Sequence, residues 1–431
     1  MLNRMWREPG VWVAVLSIIA ALLGFVREQA VAAKLGLSAD SDAIYTAIAV
    51  VGFIPGLLSN ALSQLIAPHY AASVKKDGAA AGLLTLGRLL GMGTAVASAG
   101  AVILVLGIWS GYWFFEGIHQ SKLNLSFSLS TLLALAVPAT VYVTGTLTAL
   151  NVLGRYSLSA STNIVVPIIG VVGVVMLPAS PWSVIGVWLA GYYAQAFLLH
   201  RFVKQEGVSL QIPNSLEWVK TVLGDLLHAL MGSLALVLAA SYIQAVAATS
   251  GATEMASFNF GTKVPNAFFG LAGTFLGVFL GPLFAQMASG LPYSKKRLKM
   301  LLGLTVLGAL LISPLLYLFS EDIVRLLLKR GAFAEKDVSA VAAIQMMGAL
   351  QIPAFLFSFV SARLLLAYGD ISLMHKTSWL FVLIVLVTAK PFKTNFGLGG
   401  LLLSNSLAMV SVGLVMSWGC WTHFKRSRTV V

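Results

Sequence analysis

The sequence predicts an all-α polytopic membrane protein, with about twelve transmembrane helices in two six-helix bundles around a central cavity. The composition is the first indication: 58% of the 431 residues are hydrophobic, only 10% are charged, and the mean hydropathy is +0.89. A soluble domain carries about 25% charged residues. The second indication is a series of apolar runs of about 20 residues, each long enough to cross a hydrocarbon core about 30 Å thick.

Each apolar run predicts one span, and polar or charged residues separate the runs. Several runs exceed 25 residues and contain proline, for example Pro55, Pro265 and Pro353. Tilted or broken transmembrane helices have this character. In chain order, the predicted spans are 11–35, 42–67, 82–109, 127–150, 159–178, 183–203, 222–247, 256–287, 299–319, 338–365, 377–390 and 397–420.

The longest cytoplasmic link between spans follows the sixth span, over 204–221. It predicts an N-terminal bundle over 1–203, a linker, and a C-terminal bundle with a basic tail over 222–431. Many carriers consist of two such bundles with the substrate site between them. The two halves share no evident sequence similarity, so this division depends on the span count and the linker alone.

The loop charges predict that both termini lie in the cytoplasm. With that orientation, 18 Lys and Arg residues fall on the cytoplasmic side and 8 on the outside. Cytoplasmic loops of membrane proteins carry such an excess of basic residues. The apolar stretch after Met5 is longer than the core of a cleavable signal and contains Arg27, so we expect the first span to be retained.

Two external segments differ from plain connectors. Residues 320–337 contain four acidic and four basic residues with apolar residues between them, which favours a short amphipathic helix on the outer surface. Residues 110–126 are rich in aromatic residues and favour an interfacial loop. A plain connector is the alternative for both segments.

The sequence disfavours several function classes. The formal charge of +13 does not indicate nucleic-acid binding, because the basic residues alternate from side to side of the spans. The lone cysteine, Cys420, excludes an intrachain disulfide and a cysteine-based metal cluster. The glycine-rich stretch 270–277 lies inside a span, without the strand that a nucleotide-binding loop requires. We therefore predict no metal, no cofactor, no nucleotide and no enzymatic activity.

Two of the 28 basic residues, Arg27 and Lys263, fall well inside long apolar segments, and the others lie at segment ends or in loops. A cation in hydrocarbon costs about 2.5–3.5 kcal/mol, so such a residue is expected to face a wet cavity. At the helical rise per residue, Arg27 lies ~12 Å and Lys263 ~10 Å from the outer end of its span. We predict that both bind one diphosphate of an anionic cargo, the arginine as a fork and the lysine as a point charge. The alternative is that both snorkel to the outer interface.

Two carboxylates near Arg27 are candidates for a gating ion pair. Asp42 lies across a short external turn from Arg27 and is the predicted partner, with a pair that opens or re-forms as the outer gate moves. Glu28 is the less obvious partner, because adjacent helical residues point about 100° apart. The alternative for Asp42 is that it N-caps the second span after Ser41.

Three further polar residues are candidates for function. Asp225 and His228 are three apart on the seventh span and share a face, which favours ion coupling; capping and interfacial solvation are the alternative. Asn266 lies one turn from Lys263 and is either a substrate contact or an interhelical hydrogen-bond partner.

Four stretches spread over the chain carry a family resemblance. They are LLGFVREQAVAAKLGLSADSDAIYTA (22–47), TLTALNVLGRYSLSA (146–160), TKVPNAFFGLAGTFLGVFLGPLFAQMASG (262–290) and RGAFAEKDVSAVAAIQMMGALQIPAFLFSFVSARLLLAYGD (330–370). Together they resemble the MurJ (MviN-type) lipid II flippases. That family shares a superfamily with the multidrug and toxin extrusion carriers and the Wzx-type polysaccharide flippases.

The resemblance implies an alternating-access carrier that moves an undecaprenyl-diphosphate-linked saccharide across the bacterial inner membrane. It implies that Arg27, Asp42 and Lys263 lie in the central cavity, with Lys263 standing where the family has an arginine. It also implies contact with membrane lipids, and glycosyltransferases or a polymerase of the same pathway as candidate partners.

The departures from the family pattern bear on the substrate. The family has an arginine at the place of Ala21 and an arginine pair in the second span, where this chain reads GFIPGLLSN (52–60). The family usually has fourteen spans, whereas twelve are predicted here. We therefore expect a less cationic cavity, and both lipid II and a related exopolysaccharide precursor remain candidates.

Two other functions compete with a flippase. A multidrug exporter of cationic compounds needs acidic cavity residues, whereas the charges inside these spans are mainly basic. A membrane-embedded polyprenyl-sugar transferase or ligase generally needs a sizeable external catalytic loop, and the external loops predicted here are short. Both remain as alternatives.

Overall fold

The computed structural model describes residues 9–111, 120–213, 216–289 and 291–428, and the regular structure within these residues is helical. This confirms the predicted all-α class. The helices are α1 (Pro9–Leu35), α2 (Ala39–Asp77), α3 (Ala79–Gly111), α4 (Gln120–Ala134), α5 (Ala136–Val152), α6 (Tyr156–Thr162), α7 (Val165–Met176), α8 (Pro181–Gln205), α9 (Leu216–Ala248), α10 (Glu254–Ala288), α11 (Lys295–Leu318), α12 (Ser320–Leu328), α13 (Glu335–Ala367), α14 (Ile371–Phe396) and α15 (Gly399–Arg428).

The helix lengths confirm a polytopic membrane protein. Among the described residues, 11 helical segments are long and apolar enough to cross a membrane, with α6 and α7 together forming one of them. The pair α4 and α5 is bent by 45° and gives a twelfth span if it is counted as one. About twelve spans were expected from the apolar runs. Of the predicted aromatic loop over 110–126, residues 112–119 lie outside the described residues, and α4 already begins at Gln120, so the end of the predicted loop is helical.

The first compact unit covers Met1–Val237. Within it, α2 packs against α3, α4 and α5, while α1 packs on α6 and α7. Glycines allow the close approach: a Cβ at Gly93 of α3 or at Gly145 of α5 would lie 2.7 or 2.8 Å from the Leu62 side chain of α2. Small residues at such contacts are typical of packed transmembrane helices.

The chain after α8 lies against α3 as an extended segment. The Gln211 amide donates to the Gly87 carbonyl over 3.3 Å. A Cβ at Gly87 would come within 1.9 Å of the Ser209 carbonyl oxygen, so only glycine allows this approach. Arg155 pairs with Glu206 at 2.8 Å just before this segment. The first part of the predicted linker is therefore packed onto the first unit.

The second compact unit covers Leu238–Val431, and α13 is its central helix, in contact with α10, α11 and α15. A Cβ at Gly261 of α10 would lie 2.7 Å from Ile344 of α13, which again indicates close packing. Because the boundary between the units falls inside α9, the predicted six-plus-six division around 204–221 stays a prediction.

The predicted amphipathic helix over 320–337 forms as α12, over Ser320–Leu328. Val324 and Leu328 are buried, and α12 packs on α13. Arg325 donates to Glu335 over 2.8 and 2.9 Å and to Asp322 over 3.0 Å, which fastens α12 to the start of α13. The segment is a helix held by its own unit rather than a plain connector.

Candidate functional site

Arg27 lies on α1 and forms an ion pair with the adjacent Glu28, over 2.7 Å from Nη2 to Oε1. The Glu28 carboxylate also accepts a hydrogen bond of 2.8 Å from the hydroxyl of Tyr45 on α2. Glu28 is buried, with 3% of its surface exposed. Glu28, expected to be the less obvious partner, is therefore an ion-pair partner of Arg27, and the gating role of Asp42 stays a prediction. The long arginine side chain reaches back to its neighbour, and Tyr45 holds the carboxylate in place.

The rest of the Arg27 side chain is packed against α7 and α8. A Cβ at Gly170 would lie 2.4 Å from Arg27 Cδ, so the aliphatic stem occupies the space over that glycine. The guanidinium carbon lies 4.8 Å from the ring centroid of Trp188, within cation–π range. Among the described residues, Arg27 Nε is buried without a hydrogen-bond partner. Arg27 thus joins α1 to two neighbouring helices and keeps one unused donor.

Asp42 lies in the first turn of α2 and is fully buried, with 0% of its surface exposed. The N-cap of α2 is Ser38, whose hydroxyl accepts from the Ser41 amide over 3.2 Å, and Ser41 returns a hydrogen bond to Ser38. The alternative that Asp42 caps α2 is wrong, because the helix begins earlier than the apolar run. The carboxylate still lies near the positive end of the helix dipole.

Lys263 and Asn266 lie on α10 in the second unit, and a third polar residue shares their face. Asn259, Lys263 and Asn266 follow a four-residue and then a three-residue spacing, which places all three on one side of a helix. Lys263 is half-buried and Asn266 is exposed. Asn259 Oδ1 is buried and has no hydrogen-bond partner among the described residues. Sequence reasoning missed Asn259, although its spacing from Lys263 carried the signal.

Asp225 and His228 lie near the start of α9, and they bond to different groups. Asp225 Oδ2 lies 3.1 Å from His69 Nε2 on α2. His228 Nδ1 lies 3.0 Å from the carbonyl oxygen of Gly224 in its own helix. Asp225 therefore pairs with His69, and the predicted ion coupling by Asp225 and His228 stays a prediction. His69 was missed because the second span was expected to end at residue 67, whereas α2 continues to Asp77.

A second contact also joins α2 and α9 within the first unit. The Gln64 amide donates to the Ser233 hydroxyl over 3.1 Å. Together with the His69–Asp225 pair, it shows that polar side chains link the two helices at two levels. Such polar contacts between transmembrane helices stabilise a particular packing.

The sequence profile of the family described as "Lipid II flippase MurJ" matches residues 31–426. No curated protein matches the chain.

Solved structures with a similar fold include the following three transporters. A lipid II flippase MurJ in an inward closed conformation has a TM-score of 0.71 and 16% identity, covering 95% of this chain and 87% of that one. An inward-facing multidrug resistance MATE transporter of the MOP superfamily has a TM-score of 0.72 and 12% identity, with coverages of 96% and 99%. A MOP superfamily transporter from Pyrococcus furiosus has a TM-score of 0.66 and 12% identity, with coverages of 98% and 97%. At these identities the likeness shows the fold.

Proposed function

Because this chain belongs to the MurJ family of lipid II flippases, we propose that it carries an undecaprenyl-diphosphate-linked saccharide across the inner membrane by alternating access. The family flips lipid-linked precursors of the cell wall and is a family of transporters rather than enzymes. The proposal for this chain includes the orientation predicted by the loop charges, with both termini in the cytoplasm.

The observation that carries the proposal is the polar face of α10. An ammonium group is a strong ligand for phosphate, and amide side chains both donate to and accept from sugar hydroxyls. Lys263 with Asn259 and Asn266 supplies this combination on one face of a membrane-spanning helix. We assign Lys263 to the diphosphate and the two asparagines to the saccharide. The unused acceptor of Asn259 fits a hydroxyl donor of that kind.

Arg27 is proposed as a second and weaker contact. Glu28 balances its charge, so its attraction for a diphosphate is smaller than that of an uncompensated guanidinium. Its Nε keeps a donor for the substrate. The buried carboxylates Glu28 and Asp42 are proposed to change partners when the gate moves, because that movement shifts α1 against α2. The Glu28–Tyr45 hydrogen bond links the two helices at this point.

The saccharide is proposed to be that of lipid II or of a related cell-envelope or exopolysaccharide precursor. Ala21 and residues 52–60 carry no basic side chain, so the cavity of this protein has fewer cations than the family pattern has. This favours a cargo that is bound by fewer cations than lipid II is in the rest of the family. Glycosyltransferases or a polymerase of the same pathway are the proposed partners, since they make or consume such a precursor.

Ion coupling is proposed for Asp225 together with His69. A carboxylate and an imidazole 3.1 Å apart join α2 and α9, and such a pair of groups can pass a proton between them. We expect Asp225→Asn to abolish the response of flipping to an imposed pH gradient, measured in proteoliposomes. His228→Gln on the same helix is the control and should keep the response; an unchanged response in Asp225→Asn contradicts the assignment.

The function is tested by flipping of a fluorescent undecaprenyl-diphosphate oligosaccharide in proteoliposomes. Wild type is compared with the Arg27→Ala/Lys263→Ala double variant and with Lys390→Ala, which removes one exposed charge at an end of α14. We expect wild type and Lys390→Ala to flip the lipid and the double variant to lose flipping, with all three proteins folded by circular dichroism.

Other outcomes would assign a different role. Equal flipping by the double variant and wild type would make the two cations structural anchors. Absence of flipping by wild type, together with export of a cationic drug, would favour the multidrug exporter. Product formation on the lipid-linked sugar would favour a transferase or ligase.

A further inference from the structure

A polar cavity lies in the second unit where α14 begins and α15 approaches its end. Its volume is about 370 Å³. It is lined by Asp370, Ser372, Leu373, Lys376, Trp418, Gly419, Thr422 and His423. None of these residues belongs to the α10 face or to the Arg27 network, so the function proposed above leaves the cavity without a role.

The walls of the cavity are fixed by hydrogen bonds between the two helix ends. Asp370 N-caps α14 by accepting from the Leu373 amide over 2.9 Å, and its other carboxylate oxygen lies 2.9 Å from His423 Nε2. The His423 ring stacks on Tyr368, with centroids 5.5 Å apart and an interplanar angle of 11°. Hydrogen bonds from His423 and from the Leu373 amide lower the pKa of Asp370, so its carboxylate stays ionised as part of the frame.

Lys376 supplies a cation that is not hydrogen-bonded to the frame, although its charge is a minor contribution to the lowered pKa of Asp370. Its side chain is exposed, and it forms no hydrogen bond or ion pair at bonding distance among the described residues. The hydroxyl groups of Ser372 and Thr422 line the same cavity. An ammonium group beside hydroxyls and an imidazole is a ligand set for a phosphate group, while the Asp370 charge is engaged by His423 and the start of α14.

The surroundings of the cavity favour a phosphate group that is part of a lipid. Trp418 lines the cavity and is 64% exposed, and tryptophan side chains are enriched where helices leave the hydrocarbon region. The sequence continues after His423 with the basic residues Lys425, Arg426 and Arg428. Basic pockets between helices at the cytoplasmic side bind lipid headgroups, and the loop charges predict that this is the cytoplasmic end.

We propose that this cavity binds the phosphodiester of a phospholipid headgroup from the adjacent leaflet, with Lys376 as its main ligand. The Lys376 ammonium contacts the phosphodiester oxygens, the Thr422 and Ser372 oxygens lie beside them, and Trp418 packs on the glycerol and upper acyl region. The bound lipid joins the start of α14 to the end of α15.

Native mass spectrometry of the delipidated full-length protein tests this proposal. Phosphatidylglycerol, phosphatidylethanolamine and inorganic phosphate are titrated separately against wild type, Lys376→Gln, Lys376→Arg and Lys390→Gln. Lys390 lies on the same helix towards its opposite end, so Lys390→Gln removes one positive charge from α14, as Lys376→Gln does, but away from the cavity. We expect Lys376→Gln to weaken the first phospholipid-binding event about fivefold. Lys376→Arg and Lys390→Gln should bind as wild type does.

Each result decides the proposal. Equal phospholipid affinity in Lys376→Gln and wild type would overturn it, and the Arg variant shows whether a weakened protein has lost the charge or its fold. Binding of inorganic phosphate that matches phospholipid binding and depends on Lys376 would assign the cavity to a free anion and contradict the lipid. Loss with either phospholipid but no binding of inorganic phosphate supports the headgroup.

Discussion

Two cations inside apolar helices, Arg27 and Lys263, look alike in the sequence but have different surroundings in the structure. Arg27 has a carboxylate at 2.7 Å and an indole face at 4.8 Å, and its stem fills the space over a glycine. Lys263 lies half-buried on a face that also carries Asn259 and Asn266. A charge in a membrane span persists either because a partner neutralises it or because its surface is polar. Arg27 illustrates the first case, and Lys263 lies on a helix face that carries other polar residues.

The difference separates architecture from cargo binding. A neutralised and packed cation contributes mainly to the relative positions of helices, since its charge is already compensated. A lysine on a polar helix face with amide neighbours has ligands for an anionic, hydroxyl-rich molecule. The comparison therefore predicts that Arg27 variants lose stability first, whereas Lys263 variants lose transport first.

The largest effect is expected from Glu28→Gln. The amide still accepts from Tyr45 but leaves Arg27 as an uncompensated buried cation, which costs about 3–5 kcal/mol. Chemical unfolding in detergent measures the change. The Arg27→Met/Glu28→Gln double variant should recover most of the loss, because both charges are gone. Asp322→Asn, in an exposed ion pair with Arg325, is the control and should change stability by less than about 0.5 kcal/mol. Equal losses in the single and double variants would show that Glu28 does not act through Arg27.

Transport should respond in the opposite order. Lys263→Ala removes the proposed charge-assisted hydrogen bond to the diphosphate, worth about 1.5–3 kcal/mol, so flipping in proteoliposomes should fall about 10- to 100-fold. The Arg27→Met/Glu28→Gln variant should flip within about threefold of wild type, since Arg27 is proposed as the weaker contact. A larger transport loss in that variant than in Lys263→Ala, at equal stability, would reverse the assignment of the two cations.

The apolar runs predicted the spans because a helix must satisfy its backbone inside the bilayer, and length and hydropathy then decide. The predicted positions of the helix ends were less accurate. α2 was expected over 42–67 but covers Ala39–Asp77, because a capping box begins it early and helix-forming residues continue it beyond the apolar run. His69 was lost as a candidate for this reason.

The positions of the in-span cations were visible in the sequence, but their partners were not. The angle of about 100° between Arg27 and Glu28 describes the directions of their Cα–Cβ bonds. The arginine side chain is long and has several rotatable bonds, so its guanidinium group can still reach the neighbouring carboxylate. The contact with Gly170 comes from a residue far along the chain, and no local pattern predicts it. By contrast, the spacing of Asn259 from Lys263 was enough to place both on one face of α10, because the face of a helix follows from the local sequence.

Two glycines, Gly170 near Arg27 and Gly270 near Lys263, test whether the surroundings of the two cations are packed or open, with smaller expected effects on stability. A Cβ at Gly170 would lie 2.4 Å from Arg27 Cδ, so Gly170→Ala should displace the arginine and cost about 1–3 kcal/mol of unfolding free energy. Nothing lies within 4 Å of a Cβ at Gly270, which follows Asn266 by one turn on the Lys263 face. Gly270→Ala should therefore raise stability by up to about 1 kcal/mol through helix propensity. Equal effects of the two substitutions in the same unfolding assay would contradict the packed and open surroundings of the two cations.

The smallest stability effect is expected at Asn259, with a separate effect on transport. Its Oδ1 is buried without a partner among the described residues, so Asn259→Leu removes an unsatisfied acceptor and should change the free energy of unfolding by less than about 1 kcal/mol. If that acceptor serves a saccharide hydroxyl, the same variant should lower flipping of the oligosaccharide lipid about fivefold. Flipping of undecaprenyl diphosphate without a sugar should stay unchanged. Equal losses with both lipids would move Asn259 from the saccharide to the packing around Lys263, whereas a loss confined to the sugar-bearing lipid separates the roles of the amide and the ammonium on α10.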